Sequence, residues 1–528
     1  MMNIRKTPLV IAILLSLYPF TEILYASNVS ERIEHDIRLD SLQRHPEDSI
    51  MRVLCPELFT KPRYAPPVRQ GDFSYSERWH FTRQNTTKQE FLIIAEHCIC
   101  DTLINELRTY SEDVHAIYGY GIFLVSVEYS KAYELRELIK SYKNNNNKLC
   151  GVLFVGDVGE AWYETAHDHG NSYARWPCDL YFMDLDGTWT DSDNNTIFDG
   201  HTGNQNPDIF VARLSAVGMS GLGSESTLIK RQLSKSHDFW WKSSFQSSCD
   251  TALNYVGEGL SGPSAESLHN VFPSHNVVDI RYGSYPYPSP ADFLSRLNSS
   301  NYGFMNLSCH SSTTSHEITT NQPWVQVSEI INNTSGNYAI TLNCCYACCW
   351  KSSQTVYIGG AHLFNLGKTM AVIGSTKKCS FGNMHLLYNR FPNCNLGMAY
   401  LEWWKDSHLE EHCIYDVYGD YGHTLLGDPT INFRHSVGNY CVNDLVLTAF
   451  PQENQSNLVL FRAASSITVS QNFIIPANVH VVFDAPTVTI NPQFFCPLGA
   501  SFEVRNEGNY SVIITASVII CWNESHCR

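Results

Sequence analysis

Two apolar runs in the second half of the chain end in side chains capable of covalent chemistry. One reads Tyr302-Gly-Phe-Met-Asn-Leu-Ser-Cys-His310, the other Tyr338-Ala-Ile-Thr-Leu-Asn-Cys-Cys345. A thiolate is a strong nucleophile, and a nearby imidazole can take its proton and return it. His310 and Cys345 stand 35 positions apart, room for one crossover helix between neighbouring parallel strands. In an open parallel sheet, functional groups gather beyond the carboxyl ends of the strands. Adjacent strands of this kind would bring both residues to one rim, where Cys345 attacks a carbonyl carbon and His310 handles the proton.

Other residues could carry different chemistry. Cys344, Cys345, Cys348 and Cys349 form a dense cluster. They suit disulfides, apolar core packing, or a thiolate metal site with His310 or His316, although structural zinc usually takes two separated ligand pairs. Asp184, Asp186, Asp191, Asp193, Asn195 and Asp199 offer oxygen ligands to a hard cation such as calcium. The stretch lacks the glycine and closing glutamate of an EF-hand, and a solvated acidic loop is the alternative. His408-Leu-Glu-Glu-His412 fits an inverted zinc-peptidase pattern with Glu411 as base, but no third ligand accompanies it. Lys377 and Lys378 follow another apolar run and read as surface lysines or as a rim favouring acidic substrates.

The elements that must position these residues follow from periodicity. Glu90–Ala95, Gly121–Ser126 and Gly151–Val155 are short apolar runs, separated by helically spaced segments at Ile104–Tyr110 and Tyr133–Tyr142. Leu253–Val256, Gly303–Leu307, Tyr338–Leu342 and Met370–Gly374 repeat that style, with helical spacing at Pro290–Leu297 and Gly359–Leu366. Alternating strands and helices predict an α/β fold: two consecutive α/β units with mainly parallel sheets. After Phe433, short alternating runs at Leu445–Leu447, Leu458–Phe461, Val479–Phe483 and Thr487–Ile490 predict a small all-β C-terminal module. The expected division is 1–26 signal peptide, 27–87 leader or pro-segment, 88–244 N-terminal α/β subdomain, 245–433 second α/β subdomain, and 434–528 β module.

Composition bounds the function. The 528 residues carry 36 basic and 52 acidic side chains, a net charge of −16, with no basic run beyond the first residues. Nucleic acid is therefore not an expected partner. No later run reaches the length of a transmembrane segment. The 18 cysteines and the N-terminal apolar run after Arg5 and Lys6 indicate a secreted or cell-surface location. Sequons such as those at Asn85, Asn298 and Asn454 matter only in a glycosylating host.

Six segments, in order, resemble the gingipain-type cysteine peptidase family, whose fold plan is caspase-like. They are Cys178-Asp-Leu-Tyr-Phe-Met-Asp-Leu-Asp-Gly-Thr-Trp189, Pro207-Asp-Ile-Phe-Val-Ala-Arg-Leu214, Asn306-Leu-Ser-Cys-His310-Ser-Ser, Leu342-Asn-Cys-Cys345-Tyr, Ala371-Val-Ile-Gly-Ser-Thr376 and Leu426-Gly-Asp-Pro429. The resemblance spans about 88–433. It implies a cysteine endopeptidase acting on polypeptides, with Cys345 as nucleophile and His310 as proton donor. It also implies an oxyanion hole from the N–H groups of Cys345 and Ser311, Glu258 as the residue orienting His310, no catalytic cofactor, and structural calcium. The family has glycines on both sides of the histidine where this chain has Cys309 and Ser311. A degenerate homologue acting as a surface binding protein is therefore the alternative. Residues 481–502 resemble a short β-repeat near the ends of secreted bacterial proteins, which implies cell-surface attachment or secretion.

Overall fold

The computed structural model describes residues 46–61, 72–81 and 89–520, except 147, 169–171, 242–250, 261, 270, 273–275, 299–301, 335, 353, 379–382, 392–393, 411–418, 434–443, 450–457, 463–465, 478, 485–486, 492–493, 498–499, 506–510 and 515–518. The proposed signal peptide lies outside the described residues.

An all-apolar strand must be covered on both faces, and a parallel sheet flanked by helices supplies that cover. The first half contributes β1 (Ser74–Phe81), β2 (Glu90–Glu96), β3 (Gly121–Glu128), β4 (Leu149–Val155) and β5 (Phe210–Leu214). The second contributes β6 (Ala252–Val256), β7 (Val277–Arg281), β8 (Phe304–Ser308), β9 (Ala339–Asn343), β10 (Ala371–Ser375) and β11 (His423–Gly427). These join edge to edge in one eleven-stranded sheet, ordered β1-β3-β2-β4-β5-β11-β10-β9-β8-β6-β7. Only the β1–β3 and β10–β11 pairs run antiparallel. The two α/β units thus share a sheet, and the join is the parallel contact of β11 with β5, where Leu426 faces Arg213.

Helices α1 (Pro46–Leu54), α2 (Ile104–Tyr118), α3 (Ala132–Asn146), α4 (Glu225–Trp241), α5 (Pro290–Asn298), α6 (Ile358–Phe364) and α7 (Leu396–Glu410) accompany the sheet. Gly119 ends α2 at φ +67°, where its N–H caps His115 O and a side chain would be strained. At the join, Arg213 is buried and ion-paired with buried Asp179 at 2.7 Å, and Thr424 Oγ1 on β11 donates to the same carboxylate at 2.9 Å.

Beyond residue 443 the chain forms parallel rungs. Asp444–Leu447, Ser466–Val469, Thr487–Ile490 and Ser511–Ile514 stack on one face; Leu458–Arg462, His480–Asp484 and Ser501–Arg505 stack on another. Phe495–Cys496 and Ile519–Ile520 make a third pair. Ile467, Val469, Val488 and Ile490 point inward and are fully buried, as are Val481, Phe483 and Phe494. The β module is thus a small parallel solenoid.

Candidate active site

The sheet brings the two reactive strand ends together. β8 and β9 are parallel neighbours, paired from Phe304↔Ala339 to Ser308↔Asn343. Both chains leave at their carboxyl ends, so Cys309-His310 and Cys344-Cys345 emerge side by side. His310 begins a short hairpin, His310–Ser311 against Ser315–Glu317, and is partly exposed. Its cross-strand partner is Glu317. Residues opposite in an antiparallel pair share a face with Cβ atoms about 4.5–5.5 Å apart. Glu317 therefore shares a face with His310, a neighbour that sequence reasoning missed.

Cys345 lies in a tight turn. Tyr346, the next residue, sits at φ +57°, a left-handed conformation that is costly for an aromatic residue. Tyr346 N donates to Lys377 O and Cys348 N to Ser375 O, each at 2.9 Å, so the end of β10 holds the turn. Cys348 fills space left by two glycines: a Cβ on Gly374 would lie 2.4 Å from its Sγ, and one on Gly359 2.8 Å from it. Cys348 thus packs as a core residue. No disulfide joins the described cysteines.

The remaining candidates fall as follows. Glu258 follows β6, and its Oε2 accepts from Thr320 N at 2.8 Å. The Ser311 hydroxyl is fully buried and lies within 3.0 Å of the carbonyls of Ser312 and Ser315 and 2.9 Å from His316 Nδ1. Lys377 and Lys378 are buried, not surface lysines. Lys377 pairs with Asp168 at 2.8 Å and lies over the Trp176 ring, because the strand end that carries it is roofed by the Trp162–Asp168 and Ser172–Pro177 hairpin. His412 and Glu411 lie outside the described residues.

The model of peptidase family C25 matches residues 84–434. The chain belongs to peptidase family C25. This C25 member is accordingly of the cysteine-peptidase type, with polypeptides as its substrate class. No curated protein matches the chain. Several solved structures are similar to it, two of them as follows. The Arg-specific cysteine proteinase gingipain R shares 14% identity at a TM-score of 0.47, covering 67% of this chain and 80% of its own. A structure described as a protease shares 15% at 0.46, covering 66% and 79%.

In this C25 chain Cys345 is covered. Cys345 is 7% exposed and packs in one apolar cluster with Tyr346, Cys349, Met51, Cys55 and Leu58. The last three come from α1 and the turn Pro56–Phe59 that follows it. Further contacts seat this segment. Thr313 N donates to Met51 Sδ at 3.4 Å, Gln354 Nε2 to Leu54 O at 3.4 Å, and Arg175 Nε to Glu57 O at 2.8 Å. The Phe59 ring meets Tyr346 edge-on at 6.1 Å, and Lys61 pairs with Asp193 at 2.8 Å.

The six oxygen-bearing residues named from sequence divide in two. Asp184 and Asp186, with Asp208, bring one carboxylate oxygen each within 4.8 Å of one another. Burial, and after it the neighbouring Asp186 and Asp184, push the Asp208 carboxyl above the usual range. Asp191, Asp193 and Asp199 instead accept backbone N–H groups from Asn195, Thr196 and Ser192, and Asn195 bonds Glu164. Those bonds shape the loop, as do the bonds that Asp184 accepts from Asp186 N, Gly187 N and His201 Nε2.

Proposed function

We propose that this C25 member is a secreted cysteine endopeptidase that folds in a latent form, with residues 46–59 over its nucleophile. The observation that carries the reading is the side-by-side exit of His310 and Cys345 from paired parallel strands β8 and β9. In the reaction, His310 takes the Cys345 proton and the thiolate attacks the scissile carbonyl carbon. The N–H groups of Cys345 and Ser311 receive the oxyanion. Each such donor is typically worth about 2.7–4 kcal/mol to the transition state. The C–N bond breaks as His310 protonates the leaving amine, and water then hydrolyses the thioester on Cys345. Glu258 or Glu317 orients the imidazole.

Residues 1–26 act as a signal peptide, and the solenoid serves cell-surface attachment. Calcium is the expected structural ion. Asp184, Asp186 and Asp208 would hold it, the ion taking the place of His201 Nε2, now 2.6 Å from Asp184 Oδ2. A peptide-library digest with wild type beside Cys345→Ala, each after removal of residues 27–61, tests the assignment. Cleavage by the wild type alone is expected, and equal cleavage by both overturns it.

A non-catalytic binding homologue is the second reading. It is favoured by the Ser311 hydroxyl, which is turned inward where the family has glycine. Iodoacetamide labelling of Cys345 after removal of the segment distinguishes the two: fast labelling supports the peptidase, an inert thiol the binder.

A further inference from the structure

Each of the two reactive residues is preceded by a second cysteine, and these two touch. Cys309 and Cys344 are buried, with their Sγ atoms 3.4 Å apart. One imidazole nitrogen of His316 completes a set of three donors lying within 4.8 Å of one another. His316 is fully buried, and its Nε2 lies 3.2 Å from Nε2 of His362, which is also buried.

The hydrogen bonds assign the lone pairs. Ser311 Oγ has a single proton and lies 3.0 Å from two carbonyls, of Ser312 and Ser315. Donating to either, it accepts from His316 Nδ1–H at 2.9 Å. Nε2 of His316 is then unprotonated and faces His362. A ligating histidine is commonly fixed in this way, through its other nitrogen.

We propose that Cys309, Cys344 and His316 hold a zinc-class ion behind the reactive pair, tying the ends of β8 and β9 to the hairpin strand Ser315–Glu317, with His362 of α6 beside His316. Around one tetrahedral ion, sulfurs at about 2.3 Å stand about 3.8 Å apart. The two sulfurs, 3.4 Å apart, need to part by about 0.4 Å. On binding, each thiol loses its proton to solvent and each sulfur forms one metal bond. Two thiolates balance a divalent ion, so the buried site carries no net charge.

The substitution of Cys309 for the family's glycine, which suggests degeneracy in sequence, thereby supplies a ligand. The proposal does not depend on catalysis, and its test reads metal instead of cleavage. The full chain carrying Cys345→Ala, reduced and stripped with chelator, is titrated with zinc and separately with cobalt. The expected result is about one zinc per chain, together with tetrahedral cobalt bands and thiolate-to-cobalt charge transfer. Cys309→Ser and His316→Gln should each weaken zinc binding at least tenfold. If these variants fail to fold, the cobalt spectrum of the Cys345→Ala chain decides. Negligible zinc, a cobalt spectrum without thiolate charge transfer, undiminished binding in folded Cys309→Ser, or a Cys309–Cys344 disulfide in chain isolated without reductant would each overturn the proposal.

Discussion

His310 is legible in the sequence because an apolar strand runs straight into it; its orienting partner is not. Glu258 stands where the family resemblance places an acid, yet its Oε2 is occupied by Thr320 N. Glu317 faces His310 only because a hairpin folds back after Thr314, a turn with no glycine or proline to announce it. If Glu317 orients the imidazole, Glu317→Gln lowers kcat about tenfold or more with KM little changed and shifts the acidic limb of the pH–rate profile. Glu258→Gln does the same if that carboxylate holds the role, and comparing the two profiles decides. A second residue-scale prediction concerns Lys235, whose ammonium is buried on α4 and donates to the carbonyls of Asn365 and Thr369. Burial lowers its pKa from 10.5 to about 7. The unfolded chain therefore binds the extra proton between those values, so stability rises with pH across about 7 to 10. Denaturant melts over that range should show the rise, and Lys235→Met should flatten it.

At the scale of elements, most sheet strands coincide with apolar runs because a strand buried on both faces has to be apolar throughout. The union of the two units into one sheet was not legible. It depends on β11, whose five residues His423–Gly427 pair antiparallel with β10 and parallel with β5. Nothing local in His-Thr-Leu-Leu-Gly specifies two partners of opposite direction. What holds that join is polar and buried: Arg213 on Asp179, braced by Thr424. Removing one member leaves the other charged and unpaired in the core. Asp179→Ala is expected to cost about 3–5 kcal/mol in urea unfolding. The solenoid shows the converse. Ser466-Ile-Thr-Val469 and Thr487-Val-Thr-Ile490 lie 21 positions apart, and that period was present to be read. Reading each run as a strand of an ordinary β module hid the repeat.

At the scale of the molecule, segment 46–59 and the peptidase unit act on each other. Met51, Cys55 and Leu58 are buried against Cys345 and its turn. A charge at that contact has no place in an apolar cluster. Leu58→Glu should loosen the segment and raise the rate of Cys345 alkylation at least tenfold, with little change in global unfolding. Unchanged labelling would mean that the segment does not gate access. The central place of β11 carries a last consequence. It is the sixth strand across the sheet but the last of the eleven along the chain. During synthesis, until residue 427 has left the ribosome, β5 and β10 each present a bare edge and the two halves have no strand between them. The nascent polypeptide should therefore need shielding late in translation, and a product stopped at residue 420 should aggregate instead of digesting its neighbours.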